Sequence, residues 1–200
     1  KKRAGLVLLL TTFFEPAAGV SGLLGVIFTN YISLYLGVHK EKIRKGLYGF
    51  NGLLLGLAMS MYHDPSLNLY LILLAGSMLL IIITIWMEGS LGYYYGLPVL
   101  SMPFVIVTFI IYLAFFNYHA IPLKTQDFKI PLPVPPDLPI PILAYLKSLA
   151  SIFFQSSVYA GIVVSIVLFY VSRISFLLSI LGFLSGSLFQ LILDGNMLDI

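Results

Sequence analysis

The segment LPVLSMPF, from Leu97 to Phe104, places two prolines and a hydroxyl group inside a stretch that is otherwise apolar enough to cross a membrane. Proline lacks a backbone N–H and clashes with the preceding turn, so we expect a helix to break there. Backbone groups freed at membrane depth must face protein or a water-filled path. Carbonyl oxygens freed at Pro98 and Pro103, with the hydroxyl of Ser101, could therefore bind a small polar solute.

A second polar feature is the glycine-rich segment GLYGFNGLLLGLA, Gly46 to Ala58, in which Asn51 stands beside Gly52. An amide next to a flexible backbone can expose side-chain and carbonyl oxygens to a pore. The same spacing of small residues also lets two helices approach closely, and the pattern alone fits either reading. We predict a freed carbonyl at Gly52 and a pore-facing amide at Asn51.

The composition around these segments is that of an integral membrane protein. Of the 200 residues, 60% are hydrophobic and 10% are charged. Several apolar stretches are candidate helical spans, although only some reach the roughly 20 residues that a straight helix needs. These stretches are Ala4 to Phe14, Ala17 to Leu36, Leu47 to Tyr62, Leu67 to Met87, Leu97 to Phe116, Val158 to Val171 and Ile174 to Leu193.

The basic residues predict the orientation of the spans. With a cytoplasmic N-terminus, eight of the eleven Lys and Arg residues lie inside, and only Lys124, Lys129 and Lys147 lie outside. Topology therefore explains the net charge of +3, and no nucleic-acid partner is implied. Turns are expected outside at His63 to Ser66 and inside at Glu88 to Gly92. We expect a multi-pass protein of the plasma membrane or the bacterial inner membrane.

Residues that would carry catalysis, ion coupling or metal binding are not found in the predicted spans. The acidic residues and Arg173 fall at turns or ends, whereas a charge inside a span costs about 2.5 to 3.5 kcal/mol and usually marks ion or proton coupling. His39, His63 and His119 are separate loop residues, so no metal site is expected. No nucleophile with a base, P-loop or dinucleotide fingerprint appears. We therefore predict neither an enzyme nor a cofactor.

A weak internal repeat relates the two ends of the chain. Ala4-Gly5 matches Ala160-Gly161, and LLGV at Leu23 to Val26 precedes ILGF at Ile180 to Phe183 by about 157 residues. Five predicted spans separate the two starts, and an odd number inverts the second copy. This is the arrangement of transporters that bind their substrate at the repeat interface.

A proline-rich segment, IPLPVPPDLPIP from Ile130 to Pro141, separates the two copies and is expected to be extended. The predicted organisation is a first repeat over residues 1–129, an extracellular connector over 130–141 and the start of a second repeat over 142–200. A second glycine-rich segment would fall near position 203, just beyond Ile200, so the second repeat is expected to be incomplete.

Three segments together resemble the urea transporter family. They are the Asn-Gly segment GLYGFNGLLLGLA, the segment LPVLSMPF, which is similar to the family signature Leu-Pro-x-x-Thr-x-Pro-Phe, and SLASIFFQSSVYAG, Ser148 to Gly161, which is similar to the opening of the second repeat. The resemblance implies two inverted repeats of five transmembrane helices, each with a broken or re-entrant pore half-helix. It also implies a homotrimer in which every subunit has its own pore.

The chain departs from the family pattern at two positions. Ser101 stands where the signature usually has Thr, which keeps the hydroxyl and loses a methyl group. Ser151 stands where many members carry a Gln or Glu near the pore mouth, and Phe154 follows at the aromatic position. A serine side chain reaches less far than the amide or carboxylate that the family carries there.

The favoured hypothesis is facilitative, channel-like transport of urea, or of a close small amide, down its concentration gradient. Urea is planar and neutral, so its path needs aligned oxygen acceptors in a flat slot. The alternatives are a non-transporting membrane scaffold that packs its Gly motifs against partners, and a channel for another small neutral solute such as ammonia or water. The predicted pore residues are Phe50, Asn51, Gly52, Leu97, Pro98, Ser101, Pro103, Phe104, Ser151 and Phe154.

Overall fold

The computed structural model describes residues 2–116, 139–155 and 157–194, and within them every regular element is helical. The predicted connector lies outside the described residues up to position 138. The helices are α1 Lys2–Thr11, α2 Pro16–Tyr35, α3 Lys40–Arg44, α4 Leu47–Tyr62, α5 Leu67–Met87, α6 Tyr93–Tyr95, α7 Met102–Phe116, α8 Ile140–Ser151, α9 Val158–Val171 and α10 Arg173–Asp194.

Three helical stretches are long and apolar enough to cross a membrane: Pro16–Tyr35, Leu67–Tyr95 and Arg173–Ile192. Helices α4, α7, α8 and α9 are apolar but shorter. Most of the predicted spans are confirmed as helices within a residue or two of their expected bounds. The first is shorter than predicted, because α1 ends at Thr11 and a 3₁₀ turn, Thr12–Phe14, follows it.

The chain forms two compact units, which we describe separately. Unit A comprises the described residues from Pro16 to Phe116 and contains α2 to α7. Its core is made of large apolar side chains on α4, α5 and α7, all of them essentially inaccessible to solvent. Leu55, Leu57, Leu69, Leu73, Leu80, Ile81 and Val107 are the members of this core.

Helix α5 does not end where a turn was predicted. It continues through a π-helical segment, Glu88–Gly92, into α6, and stops only at Gly96, whose φ is +63°. The predicted turn at Glu88 to Gly92 is therefore wrong, because two glycines without a proline did not stop the helix and were accommodated by wider π turns. The predicted turn at His63 to Ser66 is confirmed, and the Ser66 hydroxyl caps α5 by accepting the Leu69 N–H at 3.2 Å.

Unit B combines residues 2–15 with residues 139–155 and 157–194, so it contains α1 and α8 to α10. Helix α9 packs against both α8 and α1. Helix α8 was not predicted. It begins at Ile140, inside the segment expected to be extended, because Pro141 lies in the first helical turn, where no N–H is needed.

The helix order agrees with the spacing of the predicted repeat. Helix α2 begins at Pro16 and α10 begins at Arg173, about 157 residues later, and α1 precedes α2 as α9 precedes α10. The repeat itself stays a prediction. The inverted orientation of the second copy stays a prediction.

Candidate functional site

The segment LPVLSMPF in unit A contains a break in the helical structure, as predicted, and this break lies between α6 and α7. Residues 96–101 are not helical, and α7 starts only at Met102, with Pro103 in its first turn. A positive φ of +47° at Leu100 marks the sharpest point of the break. Such a conformation costs a non-glycine residue roughly 1 to 2 kcal/mol and persists only where neighbouring groups fix it. We call residues 96–101 the break.

Asn51 supplies that fixation. Its side chain is fully buried, and its Nδ2 donates to the carbonyl of Leu100 at 2.9 Å. Its Oδ1 accepts the N–H of Phe104 at 3.3 Å. A third bond runs from Nδ2 to the carbonyl of Leu47 in its own helix, also at 2.9 Å. One amide thus holds the last part of the break and the first turn of α7 against α4.

Ser101 and Phe104 stand at the start of α7 in different environments. The Ser101 side chain is half-buried, and its hydroxyl makes no hydrogen bond with any described residue. The ring of Phe104 is 9% exposed. Leu97 and Phe50 are much more exposed, at 56% and 43%. The Ser101 hydroxyl is therefore free to bind a solute, because it is not bonded back to its own helix.

Three of the six carbonyls of the break already accept a hydrogen bond. The Val99 carbonyl accepts the Met102 N–H at 3.2 Å, and the Ser101 carbonyl accepts the Val105 N–H at 3.2 Å. The Leu100 carbonyl is taken by Asn51. No described residue donates to the carbonyls of Leu97 and Pro98. Of the expected acceptors in the break, the Pro98 oxygen is therefore the one to which no described residue donates.

Gly52 does not have a freed carbonyl, and that expectation was wrong. Helix α4 is continuous from Leu47 to Tyr62, and Gly52 lies in it against α2. A Cβ on Gly52 would collide with the Thr29 hydroxyl and would lie 2.5 Å from the Gly25 carbonyl oxygen. A Cβ on Gly56 would likewise collide with the backbone of α2. The glycine spacing therefore serves close helix packing, the alternative that the sequence left open.

In unit B, the predicted residues Ser151 and Phe154 lie at the end of α8. The Ser151 side chain is exposed, and its hydroxyl donates to the Ser148 carbonyl at 2.7 Å, so it is bonded back to its own helix. Phe154 has a φ of +54° in the turn that follows. Ser151 is therefore less suited than Ser101 to bind a solute.

Gln155 is the residue that sequence reasoning missed. Its side chain is 3% exposed, and its Nε2 donates to the Thr12 carbonyl at 3.2 Å. Its Oε1 is buried and makes no hydrogen bond with a described residue. A buried unsatisfied oxygen is costly unless a ligand or water completes it. The sequence signal was present, since Gln155 is the one amide in the apolar stretch between α8 and α9.

The sequence of the chain matches the model of a known protein family. The family described as "UT: Urea transporter" matches residues 1–200. Because the match covers the whole printed chain, the chain belongs to the urea transporter family.

Proposed function

On the premise of this family membership, we propose that the chain conducts urea passively, by a channel-like route that uses the break in unit A. The observation that carries the proposal is the Ser101 hydroxyl, which makes no hydrogen bond with a described residue and belongs to a backbone segment fixed by Asn51. The family's urea transport defines the solute, and the break provides groups that can bind it.

The chemistry of urea fits the groups available at the break. Its two amino groups donate hydrogen bonds and its carbonyl accepts them. The Pro98 carbonyl can accept from an amino group, while the Ser101 hydroxyl can donate to the urea oxygen or accept from nitrogen. No charged side chain is needed, and a neutral solute requires none. The exposed Phe50 ring could supply a flat apolar wall, and the exposed Leu97 side chain a second apolar surface.

The remaining predicted residues take supporting roles in this proposal. Asn51 and Pro103 shape the break, Phe104 packs at the start of α7, and Gly52 packs α4 against α2. In unit B, we propose Gln155 in the role first considered for Ser151, because its buried oxygen lacks a partner. Phe154 would stand beside it.

The wider arrangement is proposed on the same premise. It comprises inverted repeats, a homotrimer with one pore per subunit, several membrane crossings and a cytoplasmic N-terminus in a cell membrane. The shared spacing of α1–α2 and α9–α10 supports the repeat. The eight basic residues that the topology assigns to one side support the orientation.

The proposal is tested by urea flux into liposomes that contain the purified full-length protein. We expect equilibration of labelled urea faster than in protein-free liposomes, without any ion gradient. A protein that inserts and folds yet leaves urea permeability at the lipid background would instead support the scaffold hypothesis. Faster equilibration of water or ammonia with no effect on urea would support the other neutral-solute channel.

A further inference from the structure

A polar cluster stands at the start of the π-helical segment. Glu88 is its first residue, and its Oε2 accepts two hydrogen bonds, from Lys42 Nζ at 2.9 Å and from the Tyr48 hydroxyl at 3.1 Å. The three residues come from α3, α4 and the continuation of α5. Because π turns inside α-helices occur frequently at functional sites, the cluster is a candidate for more than packing.

A cavity of about 340 Å³ lies between this cluster and the break. Its walls include Lys42 and Glu88 on one side and the signature residues 97–100 on the other, with Leu47 and Gly92 completing them. The walls are thus mainly apolar and carry one ion pair. Small-molecule sites are typically apolar clefts with a few polar groups that fix the orientation of the ligand.

The ion pair retains hydrogen-bonding capacity. Both bonds to Glu88 are made by Oε2, so Oε1 is available as an acceptor. An ammonium group has three N–H donors, and Lys42 uses one of them on a described residue. A donor and an acceptor therefore stand side by side at the cavity wall, next to an open surface.

We propose that this cavity is a docking site for a small planar amide, in which Glu88 accepts from the amide nitrogen and Lys42 donates to the amide oxygen. A neutral amide presents an N–H and a carbonyl oxygen along one edge, which matches an acceptor beside a donor. An anion would face Glu88 and a cation would face Lys42, so a neutral solute fits better. The inference rests on the proposed function, because urea belongs to this class of solute.

The test uses an introduced cysteine as a local reporter, since the 200-residue sequence contains no cysteine. Leu97 lines the cavity and is 56% exposed, so Leu97→Cys should react with a small thiol reagent. We expect urea to slow that reaction. Lys42→Met or Glu88→Met should raise the urea concentration needed for half protection by roughly three- to tenfold, as expected for one partly exposed hydrogen bond.

Matched controls come from α3 and from the residue that follows it. Glu41→Met and Lys45→Met make the same chemical changes at residues that do not line the cavity, and urea protection should stay as in the parent protein. Lys42 is 54% exposed, so its replacement leaves folding intact even if Glu88→Met does not fold. Size-exclusion chromatography identifies variants that have lost their fold.

Two results would overturn the inference. One is equal urea protection in Lys42→Met and in the parent protein. The other is that a substitution of Lys42 or Glu88 changes the labelling rate of Leu97→Cys in the absence of urea but leaves the protection by urea unchanged. This result would mean that the cluster only braces the break. Liposome flux keeps the two proposals apart: flux without protection refutes the docking site alone, whereas protection without flux refutes transport and leaves the site standing.

Discussion

At the residue scale, the role of the Ser101 hydroxyl can be tested by a single substitution. Replacing Ser101 by Val removes the hydroxyl and keeps a volume near that of the family's threonine. Losing one neutral hydrogen bond costs about 0.5 to 1.5 kcal/mol, so urea flux should fall roughly two- to tenfold. Ser101→Thr, which keeps the hydroxyl, should be mild. Unchanged flux in Ser101→Val at equal protein incorporation would limit the role of the segment to its backbone.

Asn51 should matter for stability as much as for transport. Asn51→Ala leaves the Leu100 carbonyl and the Phe104 N–H without their partner in a buried place. An unsatisfied buried group costs about 1 to 3 kcal/mol, so thermal stability in detergent should fall clearly. Asn68→Ala is the matched control, because Asn68 is exposed at the start of α5 and makes no hydrogen bond with a described residue. Equal melting temperatures for both variants would contradict the bracing role of Asn51.

The sequence shows which polar residues stand beside the predicted break, but it does not predict which of their atoms are hydrogen-bonded within the protein. The prolines of LPVLSMPF dictate a break by their covalent structure, so that feature could be read directly. The hydrogen bonds of the Asn51 amide depend on the contact of α4 with residues about fifty positions away. The same limit explains why Gln155 was missed, because the partner of its amide is Thr12, near the other end of the chain.

At the element scale, the contact of α2 with α4 depends on glycine. Gly52→Ala places a methyl group against the Thr29 hydroxyl and the Gly25 backbone, which cannot withdraw. Overpacking of this kind costs about 1 to 3 kcal/mol or more, so yield and thermal stability should fall. Gly182→Ala in α10 meets nothing within 4 Å and should be neutral or slightly stabilising. Normal stability of Gly52→Ala with reduced urea flux would restore a pore role for Gly52.

Element bounds were predictable where apolar composition alone decides them. Helices α4 and α9 begin and end where their apolar stretches do, because a bilayer or a core favours continuous helix there. Prediction failed at two places where local residue types allow either outcome. The glycines after Glu88 are compatible with both a turn and a π segment, and Pro141 is compatible with both an extended connector and a first helical turn.

At the scale of the whole molecule, helix α4 allows the proposed topology to be tested. Its 16 residues lie between Lys45 and Pro65, so these two positions are near opposite ends of one apolar helix. With a cytoplasmic N-terminus, Pro65→Cys should react in intact cells with a membrane-impermeant thiol reagent. Lys45→Cys should react only after permeabilisation. Labelling of Lys45→Cys from outside would invert the topology, and labelling of both from one side would show that α4 does not cross the membrane.

Transport by the full-length protein should depend on the urea gradient alone. The break in unit A is built from carbonyls, a hydroxyl and an amide, and the nearby charges of Lys42 and Glu88 balance each other. Glu15 is the one acidic side chain among the described residues that is buried, at 8% exposure, and it follows the 3₁₀ turn Thr12–Phe14 in unit B. A buried carboxylate is where proton coupling would arise, so Glu15→Gln tests this directly. We expect the initial urea flux to be equal with and without a proton or sodium gradient, and the same insensitivity in Glu15→Gln. Uphill accumulation of urea driven by a proton gradient, abolished in Glu15→Gln, would show that the protein is a coupled transporter and that the buried carboxylate provides the coupling.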